Sequence, residues 1–259
     1  MSAAPVLPAS PVPTPESAPL SEGARILNTF IAPSKTFTDL RRAKWYSWVV
    51  PWILISIAAA AFFFVVDAKI GFRRVAENQV QASPKATERM DRMPADQRER
   101  AMQQQATGTK YFTEYFYPAV ILFFNLVIAA VLFATFKSAA GADLKFSTTF
   151  ALITYAGLPG ILRFLLAIVS IMAGTNPDSF TLQSPVATSP GYLMNPAESG
   201  AFLYGIASSL DIFLIWTLVL SAIGFTCVSK AKKGTSFTIV FGWWLLFTLA
   251  GAGVSAAFS

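Results

Sequence analysis

The sequence predicts an all-helical integral membrane protein with five transmembrane helices, its N-terminus inside and its C-terminus outside. Three observations carry this reading. Charged residues make up 13% of the 259-residue chain and hydrophobic ones 54%, about half the charge an ordinary globular chain carries. Five apolar stretches, residues 46–66, 116–136, 148–173, 202–227 and 236–258, are each long enough for a hydrocarbon core of about 30 Å, which takes about 20 helical residues. Of 20 Lys or Arg and 14 Asp or Glu, only Arg163 and Asp211 fall inside these stretches.

Residues 1–22 read as a disordered Pro- and Ala-rich tail, with six prolines in the first 20 positions, a composition that disfavours helix and buries little. Residues 23–45 read as two short basic amphipathic helices. Ile26, Leu27, Phe30 and Ile31 recur at helical spacing, Pro33 ends that turn, and Phe37 and Leu40 follow. Arg25, Lys35, Arg41, Arg42 and Lys44 edge the apolar positions. Two readings stand for this pair: helices lying on an anionic inner leaflet, or a solvated cap packed on the bundle.

Residues 46–258 are then a five-span membrane domain. Between the first two spans, 67–115 reads as a helical extracytoplasmic loop, because Ser83-Pro84 and Met93-Pro94 each precede strong helix formers. Within the third span, Gly157, Pro159 and Gly160 lie within four residues. Proline removes a backbone bond and crowds the preceding turn, so the helix is expected to kink there. Residues 174–201 carry four turn signals containing proline and no Lys or Arg, and read as an irregular extracytoplasmic loop. Short loops 137–147 and 229–235 hold two and three cations, and with the basic N-terminal helices they set the orientation. The loop 67–115 holds nine cations, but seven acids nearly neutralise them, and long loops translocate with less regard for charge.

The stretch from Phe30 to Phe37 with Leu40, the Trp48 to Pro51 opening of the first span, the run from Thr154 to Pro159, and the run from Leu210 to Leu220 followed by Ile223-Gly224 resemble the bacterial branch of the Yip1 domain family. That resemblance implies a five-helix membrane domain with a cytosolic N-terminus. Eukaryotic relatives bind small GTPases and carry an Asp-Leu-Tyr-Gly-Pro stretch. Here Asp39-Leu40 is followed by Arg41-Arg42, a departure that argues against GTPase binding.

The two charges inside spans carry the sharpest local expectation. Arg163 lies 10 residues before the end of the third span and Asp211 nine after the start of the fourth, so at a rise of about 1.5 Å per residue both fall about 14 to 15 Å below one surface. An isolated charge in a membrane is costly, and opposite charges at one depth offset each other. The same count places Ser56, Asn125 and Thr248 of the other spans in one layer with them. Three readings of that layer stand: a structural ion pair with hydrogen-bonding neighbours, a site for a polar substrate or ion, or coincidence, since Ser and Thr often bond their own helix.

The chain has no His and one Cys, which excludes His-ligated metals, Ser-His-Asp and Cys-His catalysis, and an internal disulfide. No cofactor, metal or nucleic-acid partner is expected. The functional expectation is a non-enzymatic protein of a bacterial inner membrane, organising that membrane or scaffolding other components. Its expected partners are the lipid bilayer, other membrane proteins or a second copy. The alternative is a small transporter or channel using the layer around Arg163 and Asp211.

Overall fold

The computed structural model describes residues 18–258, and all of these that are regular are helical. Most of the tail expected over residues 1–22 lies outside the described residues. Two short helices come first, α1 (Glu22–Ile31) and α2 (Pro33–Asp39). Ser21 caps α1, its Oγ accepting the Ala24 N–H at 3.2 Å, and Pro33, which needs no helical donor, opens α2.

The first spanning helix is α3 (Val49–Lys69), which ends at Gly71 with φ at 82°, a conformation glycine adopts without steric cost. A helical hairpin follows, α4 (Phe72–Gln81), α5 (Pro84–Asp91) and α6 (Ala95–Tyr111). Arg73 ties α4 to α6 through both oxygens of Glu99, at 2.5 and 2.8 Å.

The second spanning helix does not begin afresh near residue 116. A π-helical turn, Phe112–Phe116, joins α6 to α7 (Tyr117–Ala139), giving one helical stretch over Ala95–Ala139. The cause is local: Pro118 cannot donate to the carbonyl four residues back and crowds it, and a widened turn relieves that conflict without ending the helix.

The third span is split into α8 (Phe146–Ala156) and α9 (Pro159–Met172). Gly157 and Leu158 form the joint, with Pro159 in the first turn of α9 and Gly160 behind it.

The apolar run 202–227 is likewise interrupted. After the single turn α10 (Pro196–Ser199), α11 (Ala201–Ser209) stops, Leu210 and Asp211 are non-helical, and α12 (Ile212–Ser229) starts. Aspartate favours a helix N-cap over a helix interior because its carboxylate satisfies free backbone N–H groups. Here Asp211 Oδ1 accepts those of Phe213 and Leu214 at 2.9 and 3.1 Å. The last helix is α13 (Lys233–Phe258). Five stretches remain long and apolar enough to cross a membrane: Val49–Lys69, Ala95–Ala139, Phe146–Met172, Ile212–Ser229 and Lys233–Ala257.

The bundle has two ends. At one, here the cap end, α2 packs on α12, and Phe37 of α2 and Leu40 just after it are fully buried in a core with Leu152, Tyr155, Phe136 and Phe225. Phe136 and Phe225 stack in parallel with centroids 4.1 Å apart. At the other, the loop end, Phe62, Phe63 and Val66 of α3 pack with Phe72 and Val75 of α4, Ile171 of α9 and Phe180. Asn78 joins the two long connections there, donating to the carbonyls of Pro177 and Phe180 at 2.8 and 2.9 Å.

Close approach of α8 and α12 depends on Gly224. A Cβ there would lie 2.8 Å from Leu152 Cγ and 2.9 Å from its Cδ1, and Leu152 is fully buried. Gly224→Ala is expected to cost about 1–3 kcal/mol through overpacking. Thermal unfolding in detergent should show that loss, and Leu152→Ala in the same chain should recover part of it.

Candidate functional site

Two polar clusters lie in this otherwise apolar bundle, one at each end. At the loop end, Arg163 Nε lies 3.4 Å from Asp211 Oδ2, an ion pair without hydrogen-bond alignment. Arg163 Nη2 donates to the Gln183 carbonyl at 3.0 Å. Asp211 is buried and has more partners. Beside the two backbone N–H groups it caps, its Oδ2 accepts the Thr188 hydroxyl, and the Ile212 N–H donates to the Thr188 carbonyl at 3.0 Å. The break before α12 is therefore where the connection 174–200 is fastened to the bundle. Gln183 and Thr188 carry no sequence signal for this role, since a polar residue in a polar loop is unremarked.

Ser56, Asn125 and Thr248 are half-buried and make no hydrogen bond to that pair. Ser56 Oγ is buried without any hydrogen-bond partner among the described residues. Gly157 lies in the α8–α9 joint, and Pro159 and Gly160 lie in the first turn of α9, one turn before Arg163.

The height of the pair follows from the helices that carry it. Arg163 lies 17 residues past Phe146, where α8 starts, and Asp211 18 before Ser229, where α12 finishes, which is about 25 to 27 Å from the cap ends of those helices. The pair therefore stands toward the loop end of the bundle.

Beside Arg163 opens a cleft of about 470 Å³, lined by Phe62, Phe63, Phe112, Tyr117 and Phe164 among others. It sits between α3, the π turn and α9.

At the cap end the structure corrects one expectation. Arg25 is not free to meet a leaflet: it is 5% exposed. Its Nε donates to Asp39 Oδ2 at 2.7 Å and its Nη1 to Glu22 Oε1 at 2.7 Å, and its carbonyl accepts the hydroxyls of Thr29 and Thr36, both at 2.8 Å. Glu22 Oε2 in turn accepts the hydroxyl of Tyr155, from the middle of the bundle. Burial opposes the charge on Arg25, but the hydrogen bond to Asp39 and the charges of Glu22 and Asp39 outweigh it and hold its pKa above the ordinary value. Reading the cation as an edge of an apolar face missed this because its main partner lies 14 residues on, beyond the Pro33 bend.

Lys35, Arg41, Arg42 and Lys44 are exposed. Arg42 Nη2 reaches Asp39 Oδ1 at 3.5 Å, and Lys44 lies 5.6 Å from the Tyr46 ring. Exposed apolar residues stand near them: Leu27, Ile31 and Trp45 are 60, 70 and 70% exposed. Among the described residues there is no cluster of three His, Cys, Asp or Glu that would hold a metal.

A family model described as the Yip1 domain matches residues 27–254. Comparison with curated proteins and with solved structures gives no match.

Proposed function

The chain belongs to the Yip1 domain family, and from that premise we propose that it is a non-enzymatic multi-pass membrane protein that organises its membrane by holding other membrane components against its helices. One observation carries this reading. In their most apolar windows the spanning helices α3, α8–α9 and α12 are 39, 44 and 39% buried, whereas α7 and α13 are only 17 and 11% buried. Two of five spans thus attach by an edge and present bare apolar faces to lipid, to another membrane protein or to a second copy. The buried acids do not supply acid–base chemistry, because Asp39 and Asp211 are each held by a cation and by backbone donors.

The cap end belongs on the cytoplasmic side of a bacterial inner membrane in this reading. Lys35, Arg41 and Lys44 contact anionic headgroups there, and Leu27, Ile31 and Trp45 enter the interface. Small-GTPase binding is not part of the proposal.

A second reading, a small transporter or channel, is favoured by one feature: the broken helix at Leu210–Asp211 beside a charged cleft, since broken helices offer their ends to polar cargo.

Site-specific labelling separates the two. Photoreactive side chains at Phe124 on α7 and Leu245 on α13, both exposed, should give discrete adducts in native membranes, while one at Ala151, 2% exposed, should give none. Adducts with lipid alone from both helices would remove protein partners from the proposal. With Cys227 replaced by Ala, rapid reaction of Ser56→Cys and Thr248→Cys with a water-soluble maleimide would instead establish an aqueous path and the transport reading.

A further inference from the structure

The cleft beside Arg163 is built differently from the bare faces of α7 and α13, and its chemistry points to a different occupant. Most of its wall is rings from four elements, Phe62 and Phe63 of α3, Phe112 of the π turn, Tyr117 of α7 and Phe164 of α9, and Gln79 of α4 and Thr109 of α6 add polar side chains on the hairpin side. Arg163 is the one charged residue in its lining, with no acid among the lining residues. Asp211 stands behind the guanidinium at Nε and is engaged by Thr188 and by the start of α12. Nη1 of Arg163 makes no hydrogen bond to protein among the described residues, and the side chain keeps 30% of its surface exposed.

We propose that this cleft binds one phospholipid, with its phosphate on the Nη1 edge of Arg163 and one acyl chain between the rings. Four facts support the assignment. A guanidinium with free donors recognises a phosphate oxygen through short charge-assisted hydrogen bonds. The donors are at the right height: Arg163 lies toward the loop end of the bundle, while Phe62, 13 residues past Val49 on α3, lies about 6 Å deeper at helical rise, where a lipid's chain continues from its headgroup. The volume of about 470 Å³ lies within the range of about 300 to 1,000 Å³ that holds small ligands, enough for a phosphate and part of one chain. Finally, the π turn that forms one wall is a feature enriched at functional sites, and its Thr113 hydroxyl is already bonded to the carbonyls of Thr109 and Lys110, so the π turn faces the cleft with Phe112 and no unsatisfied hydroxyl.

The bound lipid would be a fixed component of the fold at the loop end, and it does not depend on partners at α7 or α13. Each proposal can therefore fail alone.

The test uses the full chain purified in mild detergent, with native mass spectrometry and thermal unfolding in the presence of phosphatidylglycerol, diacylglycerol or inorganic phosphate. The wild type is expected to retain one phosphatidylglycerol per chain and to melt higher when it is added back, with no effect of inorganic phosphate. Gly108→Phe fills the cleft without touching the ion pair, since a Cβ at Gly108 meets nothing within 4 Å. Thr109→Phe does the same from the next position. Both should lose the 1:1 lipid while melting as the delipidated wild type does. Arg163→Lys keeps a cation for Asp211 but loses the planar donor edge, and should weaken binding about tenfold, the equivalent of one charge-assisted hydrogen bond. Equal lipid retention by the wild type and both cleft-filling variants would overturn the proposal. So would diacylglycerol binding as tightly as phosphatidylglycerol, or inorganic phosphate displacing the lipid.

Discussion

Asp39→Ala is expected to release α1 and α2 from the bundle. Arg25 and Asp39 are 5 and 4% exposed and joined at 2.7 Å. Removing one member of a buried pair leaves the other charge without compensation, at a cost of about 3–5 kcal/mol. Glu22, the other anion on Arg25, is partly exposed and sits on the same helix, so it moves away with its partner. The Leu20 N–H also loses its acceptor on Asp39, held at 3.2 Å. The expected result is a selective rise in trypsin cleavage at Lys35, Arg41 and Arg42, with the spanning helices still protected. Arg25→Met with Asp39→Leu should restore much of the protection, because an apolar pair leaves no buried charge. Unchanged cleavage of the single variant would show that the apolar contacts of Phe37 and Leu40 suffice. The raised pKa of Arg25 fixes the sign of any pH effect: the contribution is full below the unfolded value and lost only as pH rises through the higher folded value. Attachment of the cap should therefore not titrate through Arg25 near neutral pH.

Asp211→Ala should have the second large effect, because three supports end together. The N-cap of α12 alone is worth about 0.5–2 kcal/mol. The ion pair to Arg163 and the hydrogen bond from Thr188 add to that loss, and the guanidinium is left without its anion. Asp211→Asn keeps one acceptor oxygen for the cap, removes the charge, and puts an amide nitrogen, a donor to the Thr188 hydroxyl, where Oδ2 accepted from it, so Asn retains the cap that Ala loses. Arg163→Leu with Asp211→Leu should unfold at a higher temperature than either single Leu variant. A double variant no better than the worse single would mean that the pair contributes nothing beyond its separate members. Proteolysis between residues 175 and 200 should rise in Asp211→Ala and less in Asp211→Asn, since Thr188 holds that segment.

The membrane class and the number of spans are legible in the sequence because hydropathy sums over 20 residues and tolerates local errors. What depends on single residues is less legible. The run 202–227 reads as one helix on hydropathy alone, yet Ser208-Ser209-Leu210-Asp211 is also a helix-start signature, and the carboxylate's bonds to Phe213 and Leu214 decide in favour of the break. The start of α7 is hidden for the opposite reason: Pro118 looks like a boundary, but the π turn absorbs it. Counting residues along each span gives a height but no azimuth, and azimuth selects partners. Asp211 faces Arg163, whereas Ser56, Asn125 and Thr248 bond to neither. The cap cluster needs contacts over separations of 14 and 133 residues, Arg25 to Asp39 and Glu22 to Tyr155, which no periodicity within one element encodes.

The unbroken helical stretch Ala95–Ala139 has a mechanical consequence. At 45 residues it is a rod of about 67 Å, with a single compliant joint at the π turn. Its upper arm is clamped to α4 by Arg73 and Glu99 and to the end of α3 by the Lys110–Asp67 contact at 2.7 Å. Its lower arm ends where Thr135 accepts the Trp243 indole N–H at 3.0 Å and Phe136 lies flat on Phe225. The hairpin and the contacts with α12 and α13 at the opposite end of the bundle are thus joined by one continuous helix.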